Sequence, residues 1–181
     1  MRRITLMLAS MALMVGMVAS VAWAKDIECQ ESTQENPCLG TNQDDTITVA
    51  APFLDDFIFG LGGNDIISGG EGNDTISGGS GNDEVKCGTG HDFCLGLAGD
   101  DELRGGGGVD FLGAGNGNDT VLAGGGNDLL RVSGDQEFGF QDEAICGPGK
   151  KDSVNADLNS DLVYGRTTCE DIIWQDDLRR D

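Results

Sequence analysis

Acidic and apolar residues recur every nine positions through the middle of this chain. Aspartate stands at Asp56, Asp65, Asp74, Asp83, Asp92, Asp101, Asp110, Asp119 and Asp128. Two residues after each aspartate comes an apolar residue, in order Ile58, Ile67, Ile76, Val85, Cys94, Leu103, Leu112, Val121 and Leu130. Glycine stands two residues before all but the first, at Gly63, Gly72, Gly81, Gly90, Gly99, Gly108, Gly117 and Gly126. A fixed internal period of this kind predicts a repeat architecture.

Each nine-residue unit divides into a turn and a strand. In Thr75-Ile76-Ser77 the middle side chain is apolar and its neighbours are polar, which is the alternation of a short strand with one side chain inside. The glycine-rich half, as in residues 69–74, supplies positions that tolerate positive φ. Two turns and two strands then form one coil of 18 residues, and coils stack about 4.8 Å apart. We predict an all-β, right-handed parallel β-roll with irregular caps tied by disulfides.

Stacked coils would place every second aspartate above another. The first edge of the roll would carry Asp65, Asp83, Asp101 and Asp119, and the second edge would carry Asp56, Asp74, Asp92, Asp110 and Asp128. Carboxylates in a column repel one another unless cations lie between the coils. Calcium suits such gaps better than magnesium, because it accepts carboxylate and carbonyl oxygens in flexible geometry. The pattern therefore predicts Ca²⁺ in the gaps between successive aspartates of both columns.

The units at residues 69–77 and 78–86 resemble the nonapeptide Gly-Gly-x-Gly-x-Asp-x-U-x, with U apolar, of haemolysin-type (RTX) calcium-binding proteins. The resemblance covers about residues 56–137. It implies that the first six residues of each unit form a calcium turn, in which the column aspartates and glycine carbonyls bind the metal. The implicated glycines are Gly60, Gly63, Gly69, Gly72, Gly78, Gly81, Gly90, Gly99, Gly108, Gly117 and Gly126. The chain departs from the nonapeptide at Cys87, Ala114 and Ala123 in the first position, and at Leu61 and Leu97 in the second.

The repeat weakens on both sides. In front, Asp45 and Ile47 end a degenerate unit, and behind, Glu137 replaces the next aspartate. A fainter nine-residue phase follows at Glu143, Asp152, Asp161 and Glu170, with Ile145, Val154, Val163 and Ile172 as the expected inner residues. We predict a signal peptide at 1–24, an N-terminal cap with a degenerate repeat at 25–55, the calcium-binding roll at 56–137, and degenerate coils with a cap at 138–181.

The first residues and the cysteines indicate export. Arg2 and Arg3 precede an apolar run that ends in Ala22-Trp23-Ala24, the order of a secretory signal, for which an uncleaved membrane anchor is the alternative. The six cysteines that follow favour disulfides. We expect neighbours to pair, as Cys29–Cys38, Cys87–Cys94 and Cys146–Cys169. Two buried thiols are the alternative for the second pair. Zinc binding is disfavoured, because there is one histidine and no Cys-x-x-Cys.

The charge balance narrows the function. There are 32 acidic and 11 basic residues, for a formal net charge of −21, which excludes a cationic nucleic-acid-binding surface. Without cations so much negative charge favours an expanded chain. No second apolar run of spanning length follows the signal segment, so we expect no stable membrane insertion after its cleavage.

Strand alternation also separates two outer faces. On one sheet the outward residues include an apolar set that we term the Phe face, consisting of Phe57, Phe59, Phe93, Leu95, Phe111 and Leu129. The other sheet has charged outward residues such as Glu84 and Lys86. Large exposed apolar patches mark contact surfaces, so the Phe face predicts a partner or self-association surface. The alternative is that a flank of the same chain covers it.

No motif of an enzyme accompanies the repeat. The chain has no nucleophile elbow, phosphate loop or metalloprotease helix, and His91 occupies a turn position where other units have asparagine. We therefore expect a secreted, non-enzymatic calcium-binding protein, extracellular, at the cell surface or in the periplasm, with Ca²⁺ as its folding partner. The alternatives are an adhesin that uses the Phe face against an extracellular protein or polysaccharide, and a small secreted hydrolase or protease accessory.

Overall fold

The computed structural model describes residues 26–29, 32–49, 54–132, 141–148, 151–156, 161–164 and 169–174. These residues form two eight-stranded parallel sheets and contain no helix, so none of them belongs to a helix that could cross a membrane. The predicted signal peptide, the C-terminal residues 175–181 and the segment 133–140 around Glu137 lie outside the described residues.

The strands alternate between the two sheets along the chain. The first sheet consists of β1 (Asp26–Cys29), β3 (Thr46–Val49), β5 (Ile66–Glu71), β7 (Glu84–Gly90), β9 (Glu102–Gly108), β11 (Thr120–Gly126), β13 (Glu143–Ile145) and β15 (Leu162–Tyr164). The second sheet consists of β2 (Cys38–Leu39), β4 (Phe57–Gly62), β6 (Thr75–Ser80), β8 (Phe93–Ala98), β10 (Phe111–Asn116), β12 (Leu129–Arg131), β14 (Asp152–Ala156) and β16 (Cys169–Trp174). Each strand pairs with the strand two further along, which confirms the β-roll.

The core is one column of inward side chains per sheet. In the second sheet Ile58 pairs with Ile76, which pairs with Cys94, and the column continues through Leu112 and Leu130. All five side chains are fully buried. The corresponding column of the first sheet contains Ile47, Ile67, Val85, Leu103 and Val121. The predicted inner residues of the repeat are therefore confirmed, and they fill a narrow core between two sheets.

The strands of the repeat region are longer than the three-residue strands that the alternation predicts. From Phe57 to Gly126 each contains six or seven residues, because the strand continues into the glycine-rich half of the unit. Gly79 shows why glycine permits this: its φ is +127°, and a Cβ there would lie 2.4 Å from the carbonyl oxygen of Leu61 in the adjacent coil. The missing side chain lets neighbouring backbones approach closely.

The three disulfides join the cysteines in the predicted pairs, so the alternative of free thiols at Cys87 and Cys94 is wrong. In Cys29–Cys38 and Cys87–Cys94 the first cysteine lies on a strand of the first sheet and the second on the next strand of the second sheet. The bridge Cys146–Cys169 likewise connects the end of β13 to the start of β16. All three thus tie the sheets together where the chain passes from the first sheet to the second.

Degenerate coils continue the roll behind the repeat, as predicted, but their register differs in two places. Asp142 is fully buried and Ala144 points inward, whereas Glu143 and the expected inner residue Ile145 are half-buried. Aspartate is favoured here because the shorter carboxylate can accept the Asp119 N–H from inside the turn, at 2.8 Å.

The second difference lies in β16. The prediction that Glu170 occupies a column position is wrong. Cys169 pairs with Asp152 instead, and the register of β16 then shifts. Glu170 is therefore exposed and lies outside the strand pairing. The disulfide to Cys146 explains this shift, because it draws Cys169 inward at the position where another acidic residue would stand.

Two leucines carry the backbone conformation of glycine. Leu61 and Leu97 replace glycine at the second position of the unit, and their φ angles are +78° and +87°. They pair with Gly79 and Gly115 on the second sheet, and their side chains are 47% and 44% exposed. Positive φ costs an ordinary residue about 1–2 kcal/mol, and half-exposed side chains recover little of that by burial.

Leu97→Gly is expected to increase the free energy of unfolding by about 0.5–1 kcal/mol, because relief of positive φ outweighs the greater freedom of glycine in the unfolded chain. Chemical denaturation in saturating Ca²⁺ measures this change. Gly79→Ala on the adjacent strand is the matched opposite and is expected to destabilise, since its Cβ would meet backbone. A Leu97→Gly protein less stable than the parent would refute the strain argument.

Candidate calcium site

The turns of the roll bring the aspartates into two columns, as the period predicts. The first edge carries Asp45, Asp65, Asp83, Asp101, Asp119, Asp142 and Asp161, and the second edge carries Asp56, Asp74, Asp92, Asp110, Asp128 and Asp152. Every one of these side chains is at most 8% exposed. The columns extend beyond the repeat at both ends, which the sequence pattern indicates for Asp45, Asp152 and Asp161 but not for Asp142.

One oxygen of each column carboxylate is held by the backbone of the preceding coil. The N–H of Asp56 donates to Oδ1 of Asp74 at 2.8 Å, and the N–H of Asp83 donates to Oδ1 of Asp101 at 2.8 Å. The same bond recurs along both edges at 2.8–3.0 Å through the repeat. The side chain is thus fixed in one orientation, with its second oxygen directed into the roll.

That second oxygen, Oδ2, is buried without a hydrogen-bond partner. The residues concerned include Asp56, Asp65, Asp74, Asp83, Asp92, Asp101, Asp110, Asp128 and Asp152. An ionised oxygen buried in this way costs several kcal/mol unless a proton or a cation compensates for it. A row of such oxygens is the arrangement expected where a bound cation supplies the missing contact.

Glycine at the first position of the unit makes room beside this oxygen. A Cβ at Gly78 would lie 2.3 Å from Oδ2 of Asp83, and one at Gly96 would lie 2.4 Å from Oδ2 of Asp101. Gly60, Gly69 and Gly105 stand in the same relation to their aspartates, at 2.4–2.8 Å. The donor set and this open space fit a hard divalent cation.

Among the described turns from Asp65 to Asp128, three lack this glycine. The first positions before Asp92, Asp119 and Asp128 are occupied by Cys87, Ala114 and Ala123, whose side chains are fully buried. Their Cβ atoms occupy the side of the turn that glycine leaves open elsewhere. The space beside these three carboxylates is therefore smaller than in the regular turns.

The glycine two residues before each aspartate has a different role. At these positions φ lies between +109° and +155°, and a Cβ on Gly90 would come within 1.7 Å of the Gly72 carbonyl oxygen. Only glycine permits this approach of consecutive turns. The turn carbonyls are consequently crowded at the edge of the roll, and their role as calcium ligands remains a prediction.

Burial raises the pKa values of several column carboxylates between Asp65 and Asp128. It raises the pKa of Asp101 to about 7, although the backbone N–H of Asp83 acts in the opposite direction. Burial also raises the pKa values of Asp74, Asp83 and Asp128 to about 6. Neighbouring aspartates of the same column add repulsion in each case. In the fold these groups therefore ionise at a higher pH than an exposed aspartate does, unless a cation accompanies the ionisation.

A second ladder runs outside each column, and the sequence analysis did not predict it. The N–H of Asn82 donates to Oδ1 of Asn64 at 2.7 Å, and the N–H of Asp100 donates to Oδ1 of Asn82 at 2.9 Å. In the sequence, this ladder corresponds to the asparagine or aspartate that stands directly before most column aspartates. His91 takes part through Nδ1, which accepts the N–H of Val109 at 2.9 Å. This exposed histidine therefore has a structural contact.

Among the described residues no three or more His, Cys, Asp or Glu side chains converge as a compact metal cluster. A cation at these turns would be held by carboxylates from successive coils together with backbone carbonyl oxygens. Calcium accepts such mixed oxygen ligands, whereas zinc requires a compact set of nitrogen or sulfur ligands.

Fold and turns together define a parallel β-roll with carboxylate columns along both edges. The family model of the RTX calcium-binding nonapeptide repeat matches residues 54–85, 88–121 and 95–130. The predicted family is thereby confirmed, and this region of the chain belongs to the RTX calcium-binding repeats. No match was found among curated proteins or among solved structures.

The metal-free protein is expected to retain more strand structure at pH 5 than at pH 8. The pKa values of Asp74, Asp83 and Asp101 are raised in the fold above 3.8, so the contribution of these three groups to stability is present at low pH and is lost as pH rises through about 6–7. Circular dichroism of metal-stripped protein measures this. Asp101→Asn should flatten the dependence, whereas Glu84→Gln, on a surface pair with Lys86, should not. Greater strand content at pH 8 would contradict this prediction.

Proposed function

We propose that this protein is a secreted calcium-binding repeat protein whose roll folds when Ca²⁺ occupies the gaps between stacked turns. The observation that carries the proposal is the row of buried, unpartnered Oδ2 atoms along both edges. The column aspartates would hold the ions together with turn carbonyls of the glycine-rich halves. Bound Ca²⁺ would supply the positive charge that these oxygens lack.

The magnitude of the repulsion indicates that the ions are needed for folding. Two unit charges about 5 Å apart repel by about 3 kcal/mol at an effective dielectric constant of about 20. Several such terms along two columns exceed the stability of an ordinary domain, about 5–15 kcal/mol. The narrow core offers little to oppose them, so calcium binding would provide much of the free energy of folding.

Export from the cytoplasm would place the protein where disulfides persist and where calcium is abundant. Three disulfides persist in oxidising compartments. Extracellular calcium is abundant enough to fill sites with dissociation constants of about 10⁻⁴–10⁻³ M. We infer that the protein works outside the cytoplasm, in agreement with the signal-like sequence that begins at Arg2.

A structural or interaction role is favoured over catalysis. The column carboxylates each have one oxygen bound by backbone N–H, and His91 Nδ1 accepts a backbone N–H, so these groups serve the turns. Calcium-bound carboxylates are also poor general acids. We therefore propose no reaction for this protein.

Calcium addition to metal-stripped protein at pH 8 is expected to produce strand structure, and a chelator should remove it. Asp101→Asn should raise the half-saturating calcium concentration about tenfold, because Asp101 borders two gaps of its column, towards Asp83 and Asp119. Circular dichroism during titration measures both effects. The exposed Asp100→Asn, on the outer ladder, is the matched control and should titrate like the parent. Strand content that a chelator leaves unchanged would refute the proposal.

Adhesion through the Phe face is a second candidate function. Its residues lie in adjacent rows of the second sheet, where Phe57, Phe93, Phe111 and Leu129 share one row. The rings of Phe93 and Phe111 stack with centroids 4.8 Å apart, and Phe93 and Leu129 are 42% and 45% exposed. An apolar row of this kind on a strongly acidic protein suits a neutral, apolar partner surface.

The double substitution Phe57→Ser with Phe93→Ser is expected to leave the calcium titration unchanged, because both side chains point away from the core. It should abolish retention of the folded protein by isolated cell envelopes. Ile66→Ser, on the opposite sheet and 46% exposed, is the control and should bind as the parent does. Loss of calcium-dependent folding in the double variant would show that the Phe face is internal and would refute this candidate.

A further inference from the structure

Asp45 in front of the repeat and Asp152 behind it differ in what contacts the second carboxylate oxygen, Oδ2. In front of the repeat, Oδ2 of Asp45 accepts the N–H of Thr41 at 2.6 Å and the Thr41 hydroxyl at 2.8 Å. The oxygen that is bare in the regular turns is therefore hydrogen-bonded here by the chain itself. This turn is complete without a cation.

The second column is closed in front in a related way. Ser32 donates to Oδ1 of Asp56 through its N–H at 3.1 Å and its hydroxyl at 2.7 Å. Ser32 thus replaces the aspartate N–H that makes this contact in later coils. Polar side chains of the N-terminal cap terminate both columns.

Behind the repeat, Asp152 has the geometry of a regular column aspartate. It is fully buried, and its Oδ1 accepts the N–H of Asp128 at 3.0 Å, as Asp128 accepts the N–H of Asp110 at 2.9 Å. Oδ2 of Asp152 is buried without a hydrogen-bond partner, and so is Oδ2 of Asp128. The neighbouring Lys151 is exposed and does not contact that oxygen.

In the sequence only the fainter nine-residue phase indicates Asp152, because the regular nonapeptide does not extend to it. Asp128 and Asp152 are 24 residues apart instead of 18, and the match to the nonapeptide repeat ends at residue 130. The backbone pairing nevertheless continues, since Leu130 pairs with Val154. The next coil ends the column, because Cys169 stands opposite Asp152 and is bonded to Cys146.

We propose that Asp128 and Asp152 form an additional calcium site beyond the repeat, and that Asp45 in front of it binds no ion. The inference rests on the proposed function, since it assumes that bare column oxygens bind Ca²⁺. Two buried carboxylates from successive coils, each with one oxygen already fixed, present two free oxygens to a hard divalent cation. An ion there would tie the degenerate C-terminal coils to the repeat region at the edge where the last disulfide lies.

Counting calcium ions by native mass spectrometry tests the proposal on the full, disulfide-bonded protein in excess Ca²⁺. Asp152→Asn should bind one ion fewer per chain than the parent, with unchanged circular dichroism. Asp45→Asn should bind the same number as the parent, because Thr41 already satisfies that oxygen. Asp171→Asn, exposed on β16, is the matched surface control and should also bind the full number.

An Asp152→Asn protein that folds and binds as many ions as the parent would overturn the inference but leave the proposed function standing. A parent protein that binds no calcium would instead refute the proposed function. If the Asp152→Asn protein does not fold, amide hydrogen exchange of the parent protein at two calcium concentrations tests the additional site instead. Because Ala123 narrows the space beside the Asp128 carboxylate, this site should fill last. Amides of β14 should therefore exchange at least tenfold more slowly in saturating Ca²⁺ than at the concentration that completes the circular-dichroism change. Exchange that does not slow would overturn the inference.

Discussion

A carboxylate with one oxygen fixed and the other bare, recurring from coil to coil through the repeat region, is the constraint on which this fold depends. Asp83 shows the full arrangement: the Asp65 N–H holds Oδ1, Gly78 leaves space beside Oδ2, and no group of the described residues donates a hydrogen bond to that oxygen. Because this oxygen is buried, its charge needs a proton or a cation. Proton and calcium therefore compete for the same oxygens, which links folding to both pH and metal concentration.

The hydrophobic core cannot replace that interaction. Most strands of the repeat region contribute one fully buried residue of the size of valine, isoleucine or leucine, and β8 contributes the smaller Cys94. From Gly60 to Ala123 the first position of the unit adds only glycine, alanine or cysteine. Disulfides supplement this core unevenly. All three disulfides connect the two sheets on the same edge of the roll, the edge that carries Asp56 and Asp152. The covalent links between the sheets are therefore confined to that edge among the described residues. Among the described residues, turn hydrogen bonds and carboxylates hold the opposite edge.

Much of this was predictable from the sequence, because a strict period converts residue number into position. The two columns and the inner residues follow from counting in nines, and the cysteine pairs follow from pairing neighbours along the chain. The nine-residue count selects the wrong residue where two acidic residues are adjacent. Asp142, and not Glu143, occupies the column position, because the shorter side chain fits inside the turn. The outer ladder was missed because Asn64 or Asn82 reads as an ordinary turn residue until the coils are stacked. The contact of Thr41 with Asp45 depends on a local turn that no period reveals.

Placing the folding determinants in the turns and the interior leaves the outward strand positions free to vary. The two sheets use this freedom differently. Lys86 and Glu84 form an ion pair 2.8 Å apart on the first sheet, whereas Phe93 and Phe111 stack on the second. Leu97 beside them keeps positive φ at a position where glycine would be less strained. Strain of this kind persists where another property compensates for it. The Leu97 side chain is 44% exposed and lies on β8, the strand that also carries Phe93 and Leu95, so core packing does not explain a leucine at this position.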